Sequence, residues 1–257
     1  MRYLILFVLC SFFVSVKAQQ NSPLRVGVEY GAYKMAGEIN NRWEFRLAKT
    51  PYVPQEDESG SEHVEGEGEV DYAGLKTELS VWGNRLTLAS GLRYTRVNQH
   101  ISPTWGTPLY LYHSSSQGVE LFRVHSMHES LGYIGVPLEA DILLWGRLSN
   151  WQGYVKAGMQ AGLKIHGKTS LDFVSNEMEK YGHEIIAAAG KAPSDFFLNA
   201  YSSLGLRLIL NSGIRLSVEI LFPQNLLTKD NFSLLDSQSN GGGQFSVSLP
   251  VNLFSTK

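Results

Sequence analysis

Alternation of apolar and polar residues, repeated in eight segments, is the feature that most restricts what this chain can fold into. In residues 154–165, apolar side chains occupy every second position, while Lys156, Gln160, Lys164 and two glycines are among the residues between them. Successive side chains of a β-strand point to opposite faces, so this pattern predicts a strand with one apolar and one polar face. Comparable alternation occurs around Val26 and in residues 75–81, 85–94, 133–145, 198–210, 214–222 and 245–254.

The connections between these segments fall into two classes of length. Three are short turns rich in Gly, Asn or Ser: 83–84, 146–150 and 211–213. The other four are long: 35–69, 102–128, 167–196 and 224–244. Short turns at one end and long loops at the other are typical of outer-membrane barrels, which have an even number of strands. We therefore predict an all-β fold, a closed antiparallel up-and-down barrel of eight strands with short periplasmic turns and long extracellular loops.

The N-terminal residues 1–18 have the pattern of a cleaved secretory signal. A basic residue, Arg2, precedes an apolar stretch, and Val16 and Ala18 stand at the −3 and −1 positions of the expected cleavage site. The remaining residues, 19–257, are predicted to form a single barrel domain. Because the one cysteine, Cys10, lies in the signal, the mature chain is expected to contain neither a disulfide nor a zinc site built from thiolates.

The polar face of the segments carries charges of both signs. In a water-soluble, lipocalin-like barrel the apolar face would point inward, whereas in a membrane barrel it contacts lipid and the polar face lines the interior. Trp82, Trp145 and Trp151 lie beside the short turns, where an interfacial aromatic girdle belongs, so we favour the membrane barrel and keep the lipocalin-like carrier as an alternative. The lumen is predicted to hold a charge network made of Arg25, Glu29, Lys76, Glu78, Arg85, Arg93, Glu139, Asp141, Lys156, Lys164, Arg207, Arg215 and Glu219.

One segment resembles a known family. The stretch from Leu131 to Leu144, with a Tyr-Ile-x-Val-Pro-Leu core at Tyr133 to Leu138, is similar to the characteristic strand of the PorT-like outer-membrane β-barrel proteins of Bacteroidetes-type bacteria. The resemblance implies a barrel in the bacterial outer membrane and, by analogy with one PorT-type member, a role associated with secretion. The C-terminus departs slightly from the usual outer-membrane ending, because three residues follow Phe254.

An acidic loop is predicted at residues 51–71. Its carboxylates, interspersed with glycines, are a candidate calcium site, although their spacing matches no EF-hand loop. Acidic runs are more often solvated surface segments, and we favour that interpretation. The candidate calcium ligands are Glu56, Asp57, Glu58, Glu62 and Glu65. No other metal and no cofactor is predicted.

Two of the long connections show local patterns of their own. In the loop 167–196, Met178, Tyr181 and Ile185 recur at helical spacing, which predicts a short helix over the mouth of the barrel, interrupted at Gly182. Residues 109–124 resemble a hairpin with its turn near residues 115–118, extending the strands beyond the membrane.

The sequence offers weak signals for catalysis. His125 and His128 lie near Ser126 at the entrance to a strand, but adjacency along the chain does not establish a nucleophile with its base. We therefore expect a non-enzymatic outer-membrane protein with a structural, adhesive or partner-docking role. A hydrolase acting on lipid A is the alternative. The expected partners are outer-membrane lipid and other envelope proteins; the 22 basic and 24 acidic residues give no net positive charge for nucleic acid.

Overall fold

The computed structural model describes residues 24–39, 45–47, 64–82, 85–103, 109–115, 118–146, 150–188, 193–227, 232 and 234–251. In chain order the strands are β1 (Leu24–Ile39), β2 (Phe45–Leu47), β3 (Val64–Val81), β4 (Leu86–Pro103), β5 (Leu109–Ser115), β6 (Gly118–Trp145), β7 (Trp151–Phe173), β8 (Phe196–Ile209), β9 (Arg215–Leu221), β10 (Asn225–Leu226) and β11 (Leu235–Pro250). A 3₁₀ segment, Asn176–Tyr181, runs directly into a short helix, α1 (Gly182–Ala188), between β7 and β8.

Eight of these strands form a closed antiparallel ring in the order β1, β3, β4, β6, β7, β8, β9, β11, with β11 pairing back to β1. They coincide with the eight alternating segments, so the predicted eight-stranded barrel is confirmed. Gly146 and Gly213 take φ values of +85° and +82° in the short turns, a conformation that glycine adopts without steric cost. The short strands β2 and β5 extend from β6 as a ribbon, and β10 pairs with β8.

The strands extend well into the segments that the sequence suggested were long loops. Residues 118–128 belong to β6, residues 167–173 to β7 and residues 235–244 to β11. The predicted acidic loop is likewise wrong at its C-terminal end, because residues 64–71 are part of β3. The barrel is therefore taller at the loop end than expected. The predicted hairpin is confirmed, since Ser115 pairs with Gly118.

The chemistry of the two strand faces changes part-way along the long strands, and bulges interrupt the pairing of β6 with β7 and of β1 with β11. In the half of β4 nearest the turn, Leu88 and Leu92 point outward and Arg93 is buried in the lumen. Beyond Tyr94 the outward residues are polar, as at Arg96, whereas Val97 is buried. We call the half with an apolar exterior the membrane tier and the half with a polar exterior the outer tier.

Buried apolar side chains fill the outer tier in two adjoining clusters. The cluster nearer the membrane tier contains Tyr33, Met35, Val70, Tyr72, Val97, Leu131, Tyr133, Phe197, Leu221 and Phe232. The second contains Ile101, Leu111, Phe122, Val124, Met127, Phe173, Ile185, Leu234 and Leu235. Ile185 lies in α1, and Met178 of the 3₁₀ segment packs on the same cluster, so the helical segment covers the loop end of the barrel. The 3₁₀ segment changes to an α-helix at Gly182, where the sequence predicted an interruption. Charged side chains therefore predominate inside the membrane tier, whereas apolar side chains predominate inside the outer tier.

Pro137, in the middle of β6, coincides with a gap in the pairing between β4 and β6. The pairing between β4 and β6 runs from Leu86 to Ser90, stops, and resumes at Arg93, opposite Gly135. Proline has no backbone N–H to donate to a neighbouring strand, which accounts for the gap. On its other side β6 stays paired with β7, where Pro137 faces Gln160.

Candidate functional site

The exterior of the membrane tier is a continuous apolar belt. On β6 its outward side chains run from Ile134 to Leu144, and Val136, Leu138 and Ile142 between them are also exposed. Ten residues of tilted strand span about 25 Å, which equals the height of the apolar band on outer-membrane barrels. Every ring strand contributes to the belt, so it closes around the barrel.

Aromatic residues border this belt at both edges. At the turn edge Trp82, Trp145 and Trp151 are 77%, 53% and 58% exposed. At the opposite edge the hydroxyl of Tyr94 lies 3.0 Å from Nε2 of His166, and the hydroxyl of Tyr30 donates to Asp71. Amphipathic aromatic side chains favour the boundary between lipid and water. The chain is an outer-membrane β-barrel.

The orientation of β7 is decisive against a lipocalin-like carrier. Such a carrier would require Met159 and Leu163 to point inward, yet they are 48% and 57% exposed on the outside of the barrel. Among the described residues, no helix combines the length and the apolar character needed to cross a bilayer.

The interior of the membrane tier is a dense network of ionic groups. Counting both tiers, the described residues bury six cationic and six anionic side chains, so their formal charges cancel. Two members of the predicted network lie elsewhere: Arg85 is exposed at the turn, and Lys164 is half-buried at the upper rim, 2.7 Å from Asp195. The other predicted members are buried in the lumen: Arg25, Glu29, Lys76, Glu78, Arg93, Glu139, Asp141, Lys156, Arg207, Arg215 and Glu219.

Lys156 on β7 is at the centre of this network. Its Nζ lies 2.7 Å from Oε1 of Glu219, 3.1 Å from Oε2 of Glu139 and 4.0 Å from Oδ1 of Asp141. These three carboxylates come from β6 and β9, so one ammonium group on β7 links strands that lie on either side of β7 in the ring. Buried charges are tolerated when they are paired and hydrogen-bonded. Lys156 donates to Glu219, whereas Glu139 and Asp141 accept their hydrogen bonds from Arg93 and Arg207 through the other oxygen of each carboxylate.

Arg93 on β4 forms a second centre on the loop side of Lys156. Its Nε donates to Glu29 at 2.7 Å, and its Nη2 donates to Glu139 at 2.6 Å. The same guanidinium lies 4.4 Å from the ring centroid of Tyr72 and donates to the hydroxyl of Tyr201. Because Arg93 and Lys156 share Glu139, the two centres form one continuous network.

At the turn end, Glu78 on β3 gathers three cations. Lys76 lies 3.0 Å from it, Arg215 lies 3.5 Å from it, and Arg25 lies 3.9 Å from it. Together with the layers around Lys156 and Arg93, this group means that paired charges occupy the lumen from the turns to the beginning of the apolar clusters.

The sequence did not single out the lumenal tyrosines that share this space. Tyr154 donates to Glu219 at 2.8 Å and faces Gly205 of β8, where an added Cβ would lie 2.3 Å from the tyrosine ring. Tyr201 faces Gly158 in the same way. On the lumenal face of each strand, tyrosine and glycine occur among charged residues. Which tyrosine faces which glycine depends on the register between strands, and the sequence alone does not give this register. The buried Glu129 in the outer tier was also missed.

The outer tier carries its charges on the outside. Asp71 lies 2.8 Å from Arg96, just above the girdle, and this contact raises the pKa of Arg96. Glu67 and Glu69 point outward on β3, so these acidic residues form a solvated strand face. Of the calcium candidates, Glu65 lies in β3, whereas Glu56, Asp57, Glu58 and Glu62 lie outside the described residues. Within the described part of the chain, no three His, Cys, Asp or Glu residues are grouped to hold a metal ion.

The histidines near the start of β6 have different surroundings. His125 is exposed beside an irregularity in the pairing with β7. His128 stacks on His100 of β4 with ring centroids 4.3 Å apart, and its Nε2 lies 3.2 Å from Oγ of Ser126. Burial and, to a smaller extent, the charge of His128 lower the pKa of His100, while Glu67 acts in the opposite direction.

No protein-family model matches this sequence, and no curated protein matches it. The fold is similar to that of Neisserial surface protein A (NspA), at 12% identity and a TM-score of 0.40 over 88% of this chain and 96% of that chain. The translocator domain of the autotransporter NalP from Neisseria meningitidis is 10% identical, with a TM-score of 0.35 over 91% and 90% of the two chains. The apolar belt and its aromatic borders are features of this barrel's own surface, and they place it in a membrane.

Proposed function

We propose that this protein is a non-enzymatic outer-membrane anchor that holds a rigid platform above the membrane for docking other envelope proteins. The observation that carries the proposal is that the outer face changes from apolar to polar, and the inner face from charged to apolar, along the same continuous strands. The 28 residues of β6 run from the apolar belt into a region with a polar exterior and its own apolar core. A barrel that only had to span the bilayer would not need this second, water-exposed tier.

The filled interior supports an anchor in preference to a pore. An eight-stranded barrel is just wide enough for side chains to fill it. Here Arg93 and Lys156 connect carboxylates from several strands, and above them Tyr133 and Phe197 pack with ring centroids 5.1 Å apart. We therefore expect no water-filled path through the barrel.

The outer tier is suited to docking because its own packing makes it rigid. Side chains from β4, β5, β6, β7, β11 and α1 meet in one buried apolar cluster. This core fixes the ribbon of β2, β5 and β6 relative to the barrel. The resemblance of residues 133–138 to PorT-like proteins suggests secretion-associated proteins as the partners.

A hydrolase acting on lipid A is not favoured by the position of the candidate residues. His128 lies six residues beyond Ile134, the last belt residue on the same face of β6, which puts it about 15 Å above the belt. The ester and amide bonds of a membrane lipid lie close to the belt. The other neighbour of His128 is an imidazole, that of His100, where a carboxylate would be expected to orient the base.

Single-cysteine labelling tests the proposed arrangement, because the predicted mature chain has no cysteine of its own. Lys168→Cys, exposed on the outer tier, should react on intact cells with a membrane-impermeant maleimide. Thr77→Cys, in the belt, should stay unlabelled, and Ser212→Cys, in a short turn, should react after the outer membrane is permeabilised. Purified protein in planar bilayers should give no steady conductance steps. Labelling of Ser212→Cys on intact cells, or a stable open channel, would refute the proposal.

A further inference from the structure

Two histidines face each other on the outside of the outer tier, away from the lumenal network. His100 of β4 and His128 of β6 are paired directly in the register of the two strands. Both point outward, and His100 lies six residues beyond Tyr94, about 15 Å above the belt on the extracellular side. The pair is therefore in contact with water and with the ions dissolved in it.

The spacing of the two rings fits one shared ion. Nδ1 of His100 lies 3.1 Å from Nδ1 of His128. Two histidine nitrogens bound to one ion at about 2.0–2.1 Å, at an angle between about 90° and 109°, are about 3 Å apart. The ring planes are inclined by 29°, and rotation about each χ2 would direct the two lone pairs to one point. That torsion has a broad energy well in histidine, which makes the rotation inexpensive.

Ser126 helps to present His128 in the form that a metal requires. Its Oγ lies 3.2 Å from Nε2 of His128, on the opposite side of the ring from His100. If Nε2–H donates to this hydroxyl, Nδ1 carries the free lone pair and faces His100. A hydrogen bond from the outer nitrogen of a metal-binding histidine is the usual way in which proteins fix its tautomer.

The neighbouring positions favour a cation without completing its coordination. Glu67 of β3 pairs with His100 on its other side, and Ser170 of β7 pairs with His128. Among the described residues no third His, Cys, Asp or Glu joins the pair, so water would take the remaining positions. Imidazole ligands suit copper, nickel and zinc, whereas calcium and magnesium prefer oxygen.

We propose that His100 and His128 form a two-histidine site for a divalent transition-metal ion on the extracellular face of the barrel. The site is separate from the docking role proposed above, since it needs only the fold and the position of the pair. The order of affinities among divalent metals predicts that Cu²⁺ binds more tightly than Zn²⁺.

The test uses the tag-free mature barrel in detergent, stripped of metal with a chelator and titrated with Cu²⁺ alone and with Zn²⁺ alone. We expect one Cu²⁺ per barrel and an electron paramagnetic resonance spectrum with coupling to two nitrogens. Loss of a hydrogen-bond partner of a ligand usually costs 10–100-fold in affinity, so loss of a ligand itself in His100→Gln or His128→Gln should weaken binding at least about tenfold. His125→Gln, three residues from His128 on the same strand, should bind as the parent does.

The correct fold of each variant is checked by the change in gel mobility on heating that folded outer-membrane barrels show. A smaller loss is expected for Ser126→Ala than for either histidine variant. The proposal is wrong if the parent takes up no stoichiometric Cu²⁺, or if its spectrum shows coupling to fewer than two nitrogens. It is equally wrong if His100→Gln binds as tightly as His125→Gln. None of these results depends on whether the outer tier docks a protein.

Discussion

Replacing Lys156 with methionine tests whether the lumenal charges act as one connected network. Methionine keeps an unbranched side chain of similar length, so the main change is loss of the ammonium group. Its contacts with Glu219 and Glu139, at 2.7 Å and 3.1 Å, disappear. Breaking a buried ion pair by removing one partner costs about 3–5 kcal/mol, because an uncompensated charge stays behind.

The arrangement of the other lumenal groups puts the expected loss near the lower end of this range. Arg93 still holds Glu139 at 2.6 Å, and Arg207 still holds Asp141 at 2.6 Å. In the described contacts, Glu219 loses its cationic partner and keeps hydrogen bonds from uncharged groups. Ser203, for example, donates to it at 2.6 Å. We therefore expect Lys156→Met to lower the free energy of unfolding by about 3 kcal/mol.

The measurement is reversible urea unfolding of the barrel in lipid vesicles, followed by tryptophan fluorescence. Lys164→Met is a matched control on the same strand, because Lys164 pairs at the rim with an exposed aspartate and should cost at most about 1 kcal/mol. Adding Glu219→Gln to Lys156→Met removes the uncompensated charge and should recover at least about 0.5 kcal/mol. Equal losses in the two lysine variants, or no recovery in the double variant, would refute a connected network centred on Lys156.

Two further substitutions test the faces of the barrel and its interior packing. Val218→Arg puts a charge on an outward position of the belt that is 59% exposed, and it should cost about 2–4 kcal/mol in the same unfolding assay. Ser170→Arg, in the outer tier, should change stability by less than about 0.5 kcal/mol. Similar losses in the two variants would mean that the belt does not face lipid. Gly205→Ala would place a Cβ 2.3 Å from the Tyr154 ring and should cost about 1–3 kcal/mol of stability. At Gly162 the atom nearest to an added Cβ is 3.2 Å away, so Gly162→Ala should cost less. A larger loss in Gly162→Ala than in Gly205→Ala would contradict the close packing of Tyr154 on Gly205.

The positions of the strands could be predicted because alternation is a local property. Every second residue of a regular strand points the same way, so the chain itself reports the faces of β4, or of residues 154–164 in β7, without reference to a neighbour. The helical spacing of Met178 and Ile185 was informative for the same reason, and both residues pack on the outer apolar cluster. The prediction of residues 1–18 as a signal concerns a part of the chain outside the described residues and stays a prediction.

The extent of the strands could not be predicted, because residues in the outer tier lack a clear apolar exterior. Glu67, Glu69 and Asp71 lie on one face of β3, opposite Gly66, Gly68 and Val70, and a run of acidic residues and glycines reads as a loop. Their strand is stabilised by pairing with β1 and β4, which are distant in sequence. The exposure of Arg85 could not be predicted either. Alternation along β4 places Arg85 on the inward face, but the residue lies at the turn, beyond the last layer of lumenal side chains.

By itself, the sequence determined the all-β class, the number of ring strands and which residues share a face within each alternating segment, because strand periodicity and turn composition depend on neighbouring residues. Only the tertiary structure decided the height of each residue along the barrel. Height depends on the stagger between strands, and it separates the charged membrane tier from the apolar core of the outer tier. It also brought Lys156 to its three carboxylates and His100 to His128, because contacts across strands depend on a register that no single segment specifies.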